Sequence, residues 1–324
     1  MALIIGTPSP DPLRGTAKAD LVLGLGGADA IAGGSGDDVI FGGSGNDSIN
    51  GDNSGRAGFS LNDSSAGGDT TGPVVTGDTG PLPSRFGGMP GSNLIFAGSG
   101  DDAVIAGFGA DTVFGEAGND TVLGYGTSAV SPSGTAGVIA ADGPDWLFGG
   151  LGNDLIFGGG GEDLLDGGTG EDRLIGGRGV DTLVGGAGPD IFIFGRMLEP
   201  PNSTNPAIDT GVGLGNRDLV LDFHQGEDRL DLSRYENIVF SSDEQVPVFL
   251  GTDPFRATFA PQVRYEVEDG RTVVQIVAPF GNPGPDTSPT VPDGPDAEIE
   301  LAGEHYLRAE DFILNLEPGS FVLI

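Results

Sequence analysis

The sequence predicts an all-β chain, a parallel β-roll followed by a β-rich C-terminal capping domain. Three observations support this prediction. A nine-residue unit recurs through the first two-thirds of the chain, 61 of its 324 residues are glycine, and 48 acidic residues stand against 14 basic ones, which gives a net charge of −34. Such a chain is repetitive, and its compact state repels itself unless a cation is bound.

The repeat is clearest in Gly33–Phe41 and the unit that follows it, Gly42–Asn50. The same nine-residue frame, interrupted twice, extends over 15 units and 135 residues. The units begin at Gly6, Gly15, Gly24, Gly33, Gly42, Gly88, Ala97, Ala106, Gly115, Ala140, Gly149, Gly158, Gly167, Gly176 and Gly185. A period this short and regular is typical of a solenoid.

Two positions of the unit are nearly invariant. The sixth is aspartate in every unit except one, where it is Asn93. The aspartates are Asp11, Asp20, Asp29, Asp38, Asp47, Asp102, Asp111, Asp120, Asp145, Asp154, Asp163, Asp172, Asp181 and Asp190. The eighth is a branched aliphatic residue or phenylalanine: Leu13, Val22, Ile31, Ile40, Ile49, Ile95, Val104, Val113, Val122, Leu147, Ile156, Leu165, Leu174, Leu183 and Phe192.

Each unit predicts half a coil. Its first six residues form a glycine-dependent turn, and its last three form a short strand whose central residue points inward. Successive strands then alternate between two stacked parallel sheets, so that residues 18 apart lie about 4.8 Å above one another. Asp20 is expected to lie over Asp38, and Asp154 over Asp172.

The stacked carboxylates predict calcium sites. Carboxylate and turn carbonyl oxygens are the ligands that calcium prefers, whereas magnesium demands a tighter octahedron. Softer metals favour cysteine or histidine, and the chain has no cysteine and two histidines. We therefore take the 14 repeat aspartates as candidate calcium ligands, with several Ca²⁺ ions as the only cofactor.

The motif G-G-x-G-x-D-x-U-x resembles that of the RTX, or hemolysin-type, calcium-binding repeat proteins. The resemblance covers the 15 units. It implies a parallel β-roll, folding that is triggered by calcium outside the cell, and export of the unfolded chain through a type I secretion channel. It therefore implies a secreted, extracellular or cell-surface protein, with the secretion machinery as a partner.

The repeats divide the chain into segments. The two insertions are rich in small and polar residues and predict surface loops. The predicted order is roll block 1–53, loop 54–87, roll block 88–123, loop 124–139, roll block 140–194, linker 195–217 and C-terminal domain 218–324.

The C-terminal segment resembles the domain that follows the β-roll in serralysin-type metalloproteases. The resemblance rests on 218–232, 301–303 and 310–314, and it implies a cap for the roll and four more calcium ligands, Asp218, Asp222, Asp228 and Asp231; the alternative for each is a solvated acidic face. Alternation of apolar and acidic residues predicts two paired strands around a turn at Gln225-Gly226. The ending 317–324 resembles an uncleaved export signal.

No catalytic motif is recognisable in the sequence. The zinc motif H-E-x-x-H of serralysins is missing, since the histidines are His224 and His305. No G-x-S-x-G elbow, P-loop or dinucleotide fingerprint occurs. Mannuronan epimerases carry similar repeats as non-catalytic modules. We therefore expect a protein that is not an enzyme.

Apolar residues also recur at the ninth position, where a side chain points away from the core. They are Phe41, Phe96, Phe114, Phe148 and Phe157. Either the insertions or the C-terminal domain cover them, or they form a self-association or adhesion surface. The acidic charge argues against nucleic acid and anionic lipid as partners, and no stretch is long enough for a membrane span.

These observations favour a secreted calcium-binding protein with a structural or interaction role at the cell surface or in the matrix. Its candidate partners are calcium ions, the type I secretion machinery, a surface or matrix component, and a second copy. The alternatives are a calcium-binding secretion module of an exoenzyme, such as a serralysin-type protease or a polysaccharide-modifying enzyme, and a membrane-active RTX protein.

Overall fold

A computed structural model describes residues 1–51, 91–107, 109–125, 143–195, 210–234, 247–257, 260–277, 292 and 294–314. These residues form strands, turns and one 3-10 turn, Ala309–Asp311. Consecutive strands of the repeats alternate between two parallel sheets, so the predicted all-β parallel β-roll is confirmed. No helix in the described part of the chain is long and apolar enough to cross a membrane.

The strands are numbered in chain order and divided between two sheets, sheet I and sheet II. In spatial order, sheet I contains β1 (Leu3–Ile5), β3 (Leu21–Gly26), β5 (Val39–Ser44), β7 (Leu94–Ser99), β9 (Thr112–Ala117), β11 (Trp146–Leu151), β13 (Leu164–Thr169), β15 (Thr182–Ala187), β17 (Asp218–Val220), β22 (Ala297–Ala302), β21 (Arg271–Val277), β20 (Gln262–Glu268) and β19 (Val248–Phe249). Sheet II contains β2 (Pro12–Arg14), β4 (Ala30–Ala32), β6 (Ser48–Asn50), β8 (Ala103–Gly107), β10 (Thr121–Tyr125), β12 (Leu155–Gly161), β14 (Arg173–Gly179), β16 (Ile191–Gly195), β18 (Arg229–Arg234) and β23 (Phe312–Ile313).

The register of the roll follows the 18-residue step. Leu21 pairs with Val39, and Val22 with Ile40. The eighth-position side chains point between the sheets as predicted, and all of them are buried except Leu13, which is partly buried. Each contributes about 1.5–3 kcal/mol of burial free energy, and a ladder of such residues is the core of the roll.

The turns require a left-handed backbone at the second and fourth positions of most units. Glycine occupies nearly all of these positions, as in Gly34 and Gly36. Leu25 and Glu116 are exceptions at the second position, with φ of 79° and 75°. A side chain in this region is sterically unfavourable by roughly 1–2 kcal/mol, so these two turns are strained.

Both insertions are placed inside a turn and not between coils. Gly51 takes the first position of the turn that Gly91 and Asn93 complete, where the nine-residue frame assigned Gly88. Gly124 likewise takes the first position assigned to Ala140, and β10 continues to Tyr125. Gly88 and Ala140 lie outside the described residues, as do residues 52–90 and 126–142.

The predicted strand pair around Gln225-Gly226 is wrong. The strands that flank this turn, β17 and β18, lie in opposite sheets, where they pair in parallel with β15 and β16. The repeat continues here, with an aspartate followed two residues later by an apolar residue, but one extra residue between Val220 and Leu230 disguises the period. The strands β22 and β23 then extend the two sheets in parallel with β17 and β18.

The outward phenylalanines fall into two environments. Phe41, Phe96, Phe114 and Phe148 stack on the outer face of sheet I, with Phe41 39% exposed. Phe157 occupies the same position of its unit in sheet II, but it is buried in a small apolar cluster apart from the main core. The outer face of sheet II is therefore covered at Phe157, and that of sheet I is not covered at Phe41.

Replacing Glu116 with glycine is expected to stabilise the calcium-loaded roll by about 1 kcal/mol, because glycine adopts φ of 75° without the clash of a Cβ atom. The measurement is urea unfolding at saturating calcium. Glu116→Ala is the matched control, since it removes the same charge but keeps Cβ, and it should gain no stability. Equal stabilisation by both variants would contradict the strain.

Candidate metal centre

The sixth-position aspartates form a hydrogen-bonded ladder along each edge of the roll. The backbone N–H of Asp20 donates to Oδ1 of Asp38 at 2.8 Å, and that of Asp154 donates to Oδ1 of Asp172 at 2.8 Å. The ladder crosses an insertion, since Asp111 donates to Asp145 over 34 residues at 2.8 Å. The predicted stacking of aspartates 18 apart is therefore confirmed, and one carboxylate oxygen of each pair serves the fold.

The second carboxylate oxygen, Oδ2, takes no part in the hydrogen bonds of the ladder. In eight of the buried aspartates this atom accepts no hydrogen bond from any residue that the structure describes. They are Asp29, Asp47, Asp102, Asp120, Asp154, Asp163, Asp172 and Asp190. A buried charged oxygen without a partner costs several kcal/mol, so this pattern demands a proton or a cation.

A main-chain carbonyl lies close to this second oxygen, beside the glycine that opens the unit. A Cβ atom built on Gly158 would lie 2.5 Å from Asp163 Oδ2 and 2.5 Å from the carbonyl oxygen of Gly176. Any side chain at Gly158 would therefore fill the space that the two oxygens share. Glycine at the first position keeps that space open.

The donor set fits calcium. No three histidine, aspartate or glutamate side chains converge in the described part of the chain, so a cation here would have to combine aspartate Oδ2 with turn carbonyls. Calcium accepts six to eight oxygen ligands of mixed type in flexible geometry. When bound, it would supply the positive charge that neutralises the buried carboxylates and would cross-link adjacent turns.

The pKa values of the ladder aspartates also indicate that the carboxylates need a proton or a cation. Burial raises the pKa of Asp102 to about 8, and repulsion from Asp120 and Asp47 adds to the effect. Burial also raises the pKa of Asp163 and Asp190 to about 7. The metal-free roll therefore disfavours the ionised form of its own ladder.

The first two turns satisfy their aspartates without a cation. Oδ2 of Asp11 accepts hydrogen bonds from the N–H and hydroxyl of Thr7, and Oδ2 of Asp20 accepts from the N–H and hydroxyl of Thr16. The Thr16 hydroxyl lowers the pKa of Asp20 below its usual value. A threonine at the second position thus satisfies the carboxylate at this end of the roll without a cation.

Asn93, the one sixth-position residue that is not aspartate, places a neutral amide where the other turns have a carboxylate. Its Oδ1 accepts from the N–H of Asp38 at 3.1 Å, which keeps the ladder intact. Its Nδ2 donates to the carbonyl oxygen of Ala106 at 3.2 Å, where the other turns place an Oδ2 beside a carbonyl. A direct hydrogen bond therefore joins the side chain to the carbonyl at this turn, and no cation is needed there.

The four C-terminal candidates separate into two pairs. Asp218 and Asp228 continue the ladders, because their Oδ1 atoms accept from Asp181 and Asp190 at 3.0 Å. Asp222 instead accepts from the backbone N–H groups of Gly185 and Gly186.

Asp231 lies outside the ladder as well. Its Oδ1 accepts from the N–H and hydroxyl of Ser233. The sequence pattern missed these differences, and it also missed Thr7 and Thr16. A threonine at the second position was the available signal.

Comparison with known proteins identifies the repeat. The model of the RTX calcium-binding nonapeptide repeat (4 copies) matches residues 5–39, 23–54, 87–122, 139–174 and 161–192. No curated protein matches the chain.

Two solved structures that resemble the chain are subunits of the Azotobacter vinelandii mannuronan C5-epimerase. AlgE6R3 is 28% identical, with a TM-score of 0.33, and the match covers 53% of this chain and 78% of that one. AlgE6R2 is 27% identical, with a TM-score of 0.34, and the match covers 53% and 88%.

The substitution Asn93→Asp is expected to add one calcium ion to the number bound, because it replaces the Nδ2 donor with a free carboxylate oxygen beside the Ala106 carbonyl. Equilibrium dialysis with radioactive calcium measures the number. Asn153→Asp is the matched control, since it makes the same change at an exposed turn position off the ladder. An unchanged number in Asn93→Asp would contradict this account of the turn.

The metal-free chain should lose β-structure as pH rises from about 4 to about 8. Aspartates with a raised pKa bind more protons in the folded than in the unfolded state, so stability falls through this window and is lowest above the highest folded pKa. Far-UV circular dichroism in calcium-free buffer measures this change. Saturating calcium should abolish the loss at pH 8, and a metal-free signal that rises with pH would contradict the assignment.

Proposed function

We propose that this chain, which carries RTX calcium-binding nonapeptide repeats, is a secreted protein that folds on calcium after type I export and has a structural or interaction role at the cell surface or in the matrix. The observation that carries the proposal is the set of eight buried aspartates whose Oδ2 atoms accept no hydrogen bond from any described residue. We assign the calcium to the ladder aspartates with free Oδ2 atoms and to the carbonyls beside them.

The energetics support calcium as the folding trigger. The strands are short, and each half-coil buries one core side chain, which is little to set against roughly 1–2 kcal/mol of backbone entropy per residue. The buried carboxylates oppose the fold further. Because a preformed site is absent from the unfolded chain, the free energy of binding calcium becomes free energy of folding.

The same coupling supports export in the unfolded state. Sites of extracellular modules bind calcium at about 0.1–1 mM, so a chain of this kind stays unfolded where calcium is scarce and folds where it is abundant. We place the protein outside the cell, with the type I secretion machinery as its partner during export. The export signal proposed at 317–324 and the capping role of 218–324 belong to this proposal, and residues 315–324 lie outside the described part.

The test is a calcium titration of the chelator-stripped chain at pH 8, followed by far-UV circular dichroism with magnesium as a control. We expect a cooperative coil-to-β transition at about 0.1–1 mM calcium and none with magnesium at the same concentrations. A chain that is fully β-structured in chelator would contradict the proposal. Turnover of peptides, lipids or polysaccharides by the calcium-loaded chain would favour the exoenzyme alternative.

A pair of variants assigns the effect to the ladder. Asp163→Asn should bind fewer calcium ions than the wild type, because the amide donates to a carbonyl as Asn93 does. Glu162→Gln removes the same charge from an exposed position of the same turn, and it should bind the wild-type number. If both variants lost the same number of ions, general charge and not the ladder would bind calcium.

A further inference from the structure

The outer face of sheet I between β1 and β17 is apolar and open to solvent. Along these nine strands, the two side chains that flank each inward core residue are apolar except for Thr112, Asp166 and Thr182. Leu3 is 60% exposed, and Trp146 is 56% exposed. Monomeric soluble proteins rarely leave so large a continuous apolar surface uncovered.

A stacked row of phenylalanines stiffens this face. The rings of Phe41, Phe96, Phe114 and Phe148 stack with centroid distances of 4.9, 5.0 and 4.9 Å and interplanar angles of 5°, 11° and 7°. These distances match the strand spacing, so the row forms a straight ridge fixed by the backbone. The ridge loses little side-chain entropy when another surface covers it.

The opposite face of the roll differs. In sheet II the equivalent outward residues Ile105, Phe157, Ile175 and Ile193 are at most 4% exposed. These apolar outward positions are therefore buried in sheet II, whereas Phe41 and Trp146 in sheet I are exposed. The exposure of sheet I is therefore a feature of that face and not of the repeat.

Charge restricts what can bind there. At its far edge, beyond β17, the face ends at Glu298 and Glu300, which are held by Arg217 and Arg271. Across the apolar area, the ionisable side chains on the described strands, other than the buried ladder aspartate of β17, are Asp166 and, near the end of β9, the exposed Glu116, and both are acidic. A polyanion or an anionic membrane finds no cation on this surface, so its partner must present a flat, uncharged, apolar area.

A second copy of the chain presents that area. Nine strands at about 4.8 Å span roughly 40 Å along the roll, and with side chains the face is roughly 20 Å wide. Face-to-face contact would therefore cover roughly 800 Å² per partner, the size of a standard specific interface. A twofold arrangement brings the phenylalanine row of one copy onto that of the other, with both ridges repeating at the same spacing.

We propose that the outer face of sheet I joins two copies of this chain, face to face, in a symmetric dimer. The dimer rests on the proposed function, because the face exists only when calcium has folded the roll. Calcium also lowers the mutual repulsion of two chains that each carry a net charge of −34.

The test is sedimentation velocity at saturating calcium over a range of protein concentrations, together with fluorescence of Trp146, the chain's one tryptophan. We expect the mass to double with concentration and the emission of Trp146 to shift to shorter wavelength in parallel. Phe114→Asp should weaken dimerisation at least about tenfold, because it buries an unpaired charge. Leu214→Asp, at a site that is 77% exposed and outside the nine strands of the face, is the matched control and should dimerise as the wild type does.

The outcomes separate the two proposals. A folded monomer at every concentration would overturn the dimer and leave calcium-triggered folding intact. A monomer in which Trp146 already emits at the shorter wavelength would do the same, because Trp146 would then be covered without a second copy. A dimer that persists in Phe114→Asp with unshifted emission would place the contact elsewhere and also overturn the proposal. Should Phe114→Asp fail to fold, Phe41→Asp, at a more exposed position, decides in its place; a wild-type chain that does not fold in calcium contradicts both proposals.

Discussion

The hydrogen bond from the backbone N–H of one ladder aspartate to Oδ1 of the next aspartate along the edge governs this molecule. It fixes the carboxylate in the plane of the turn, for example from Asp145 to Asp163 at 2.9 Å. Because Oδ1 is committed to the neighbouring coil, Oδ2 is held in the buried space beside the first glycine. The interaction that sets the register of the coils therefore also creates the electrostatic problem that a cation must solve. In the proposed function, fold and metal binding are two uses of one carboxylate.

At some turns of the roll, groups of the protein itself satisfy the sixth-position side chain. Threonine hydroxyls satisfy the aspartates of the first two turns, an amide replaces the carboxylate at Asn93, and the N–H of His224 donates to Asp228 at 2.6 Å. These sites lie at the two ends of the repeats and at the turn that holds the first insertion. In the proposed function, calcium is therefore needed mainly at the interior turns, where a coil has neighbours on both sides and the carboxylate is buried.

The nine-residue period predicted most of this architecture because it encodes both the sheet alternation and the inward side chain. Asp20 over Asp38 followed from the step alone. The C-terminal strands were misjudged because a single added residue near Asp222 shifts the frame, and a local alternating pattern then resembles a hairpin. The period also could not distinguish Phe41 from Phe157, since both occupy the ninth position. Whether such a residue is covered depends on parts of the chain that are distant in sequence.

The sidedness of the roll inverts the usual distribution of charge and apolar surface. The ladder carboxylates are buried along the edges, whereas one broad face exposes phenylalanine, leucine and tryptophan. This arrangement is tolerable only in a chain whose unfolded state is strongly acidic, because self-repulsion at −34 keeps apolar segments of different copies apart before folding. In the proposed function, calcium removes part of that repulsion when it folds the roll and so assembles the apolar face. The same ion would therefore set both when the roll forms and when the face becomes able to bind a partner.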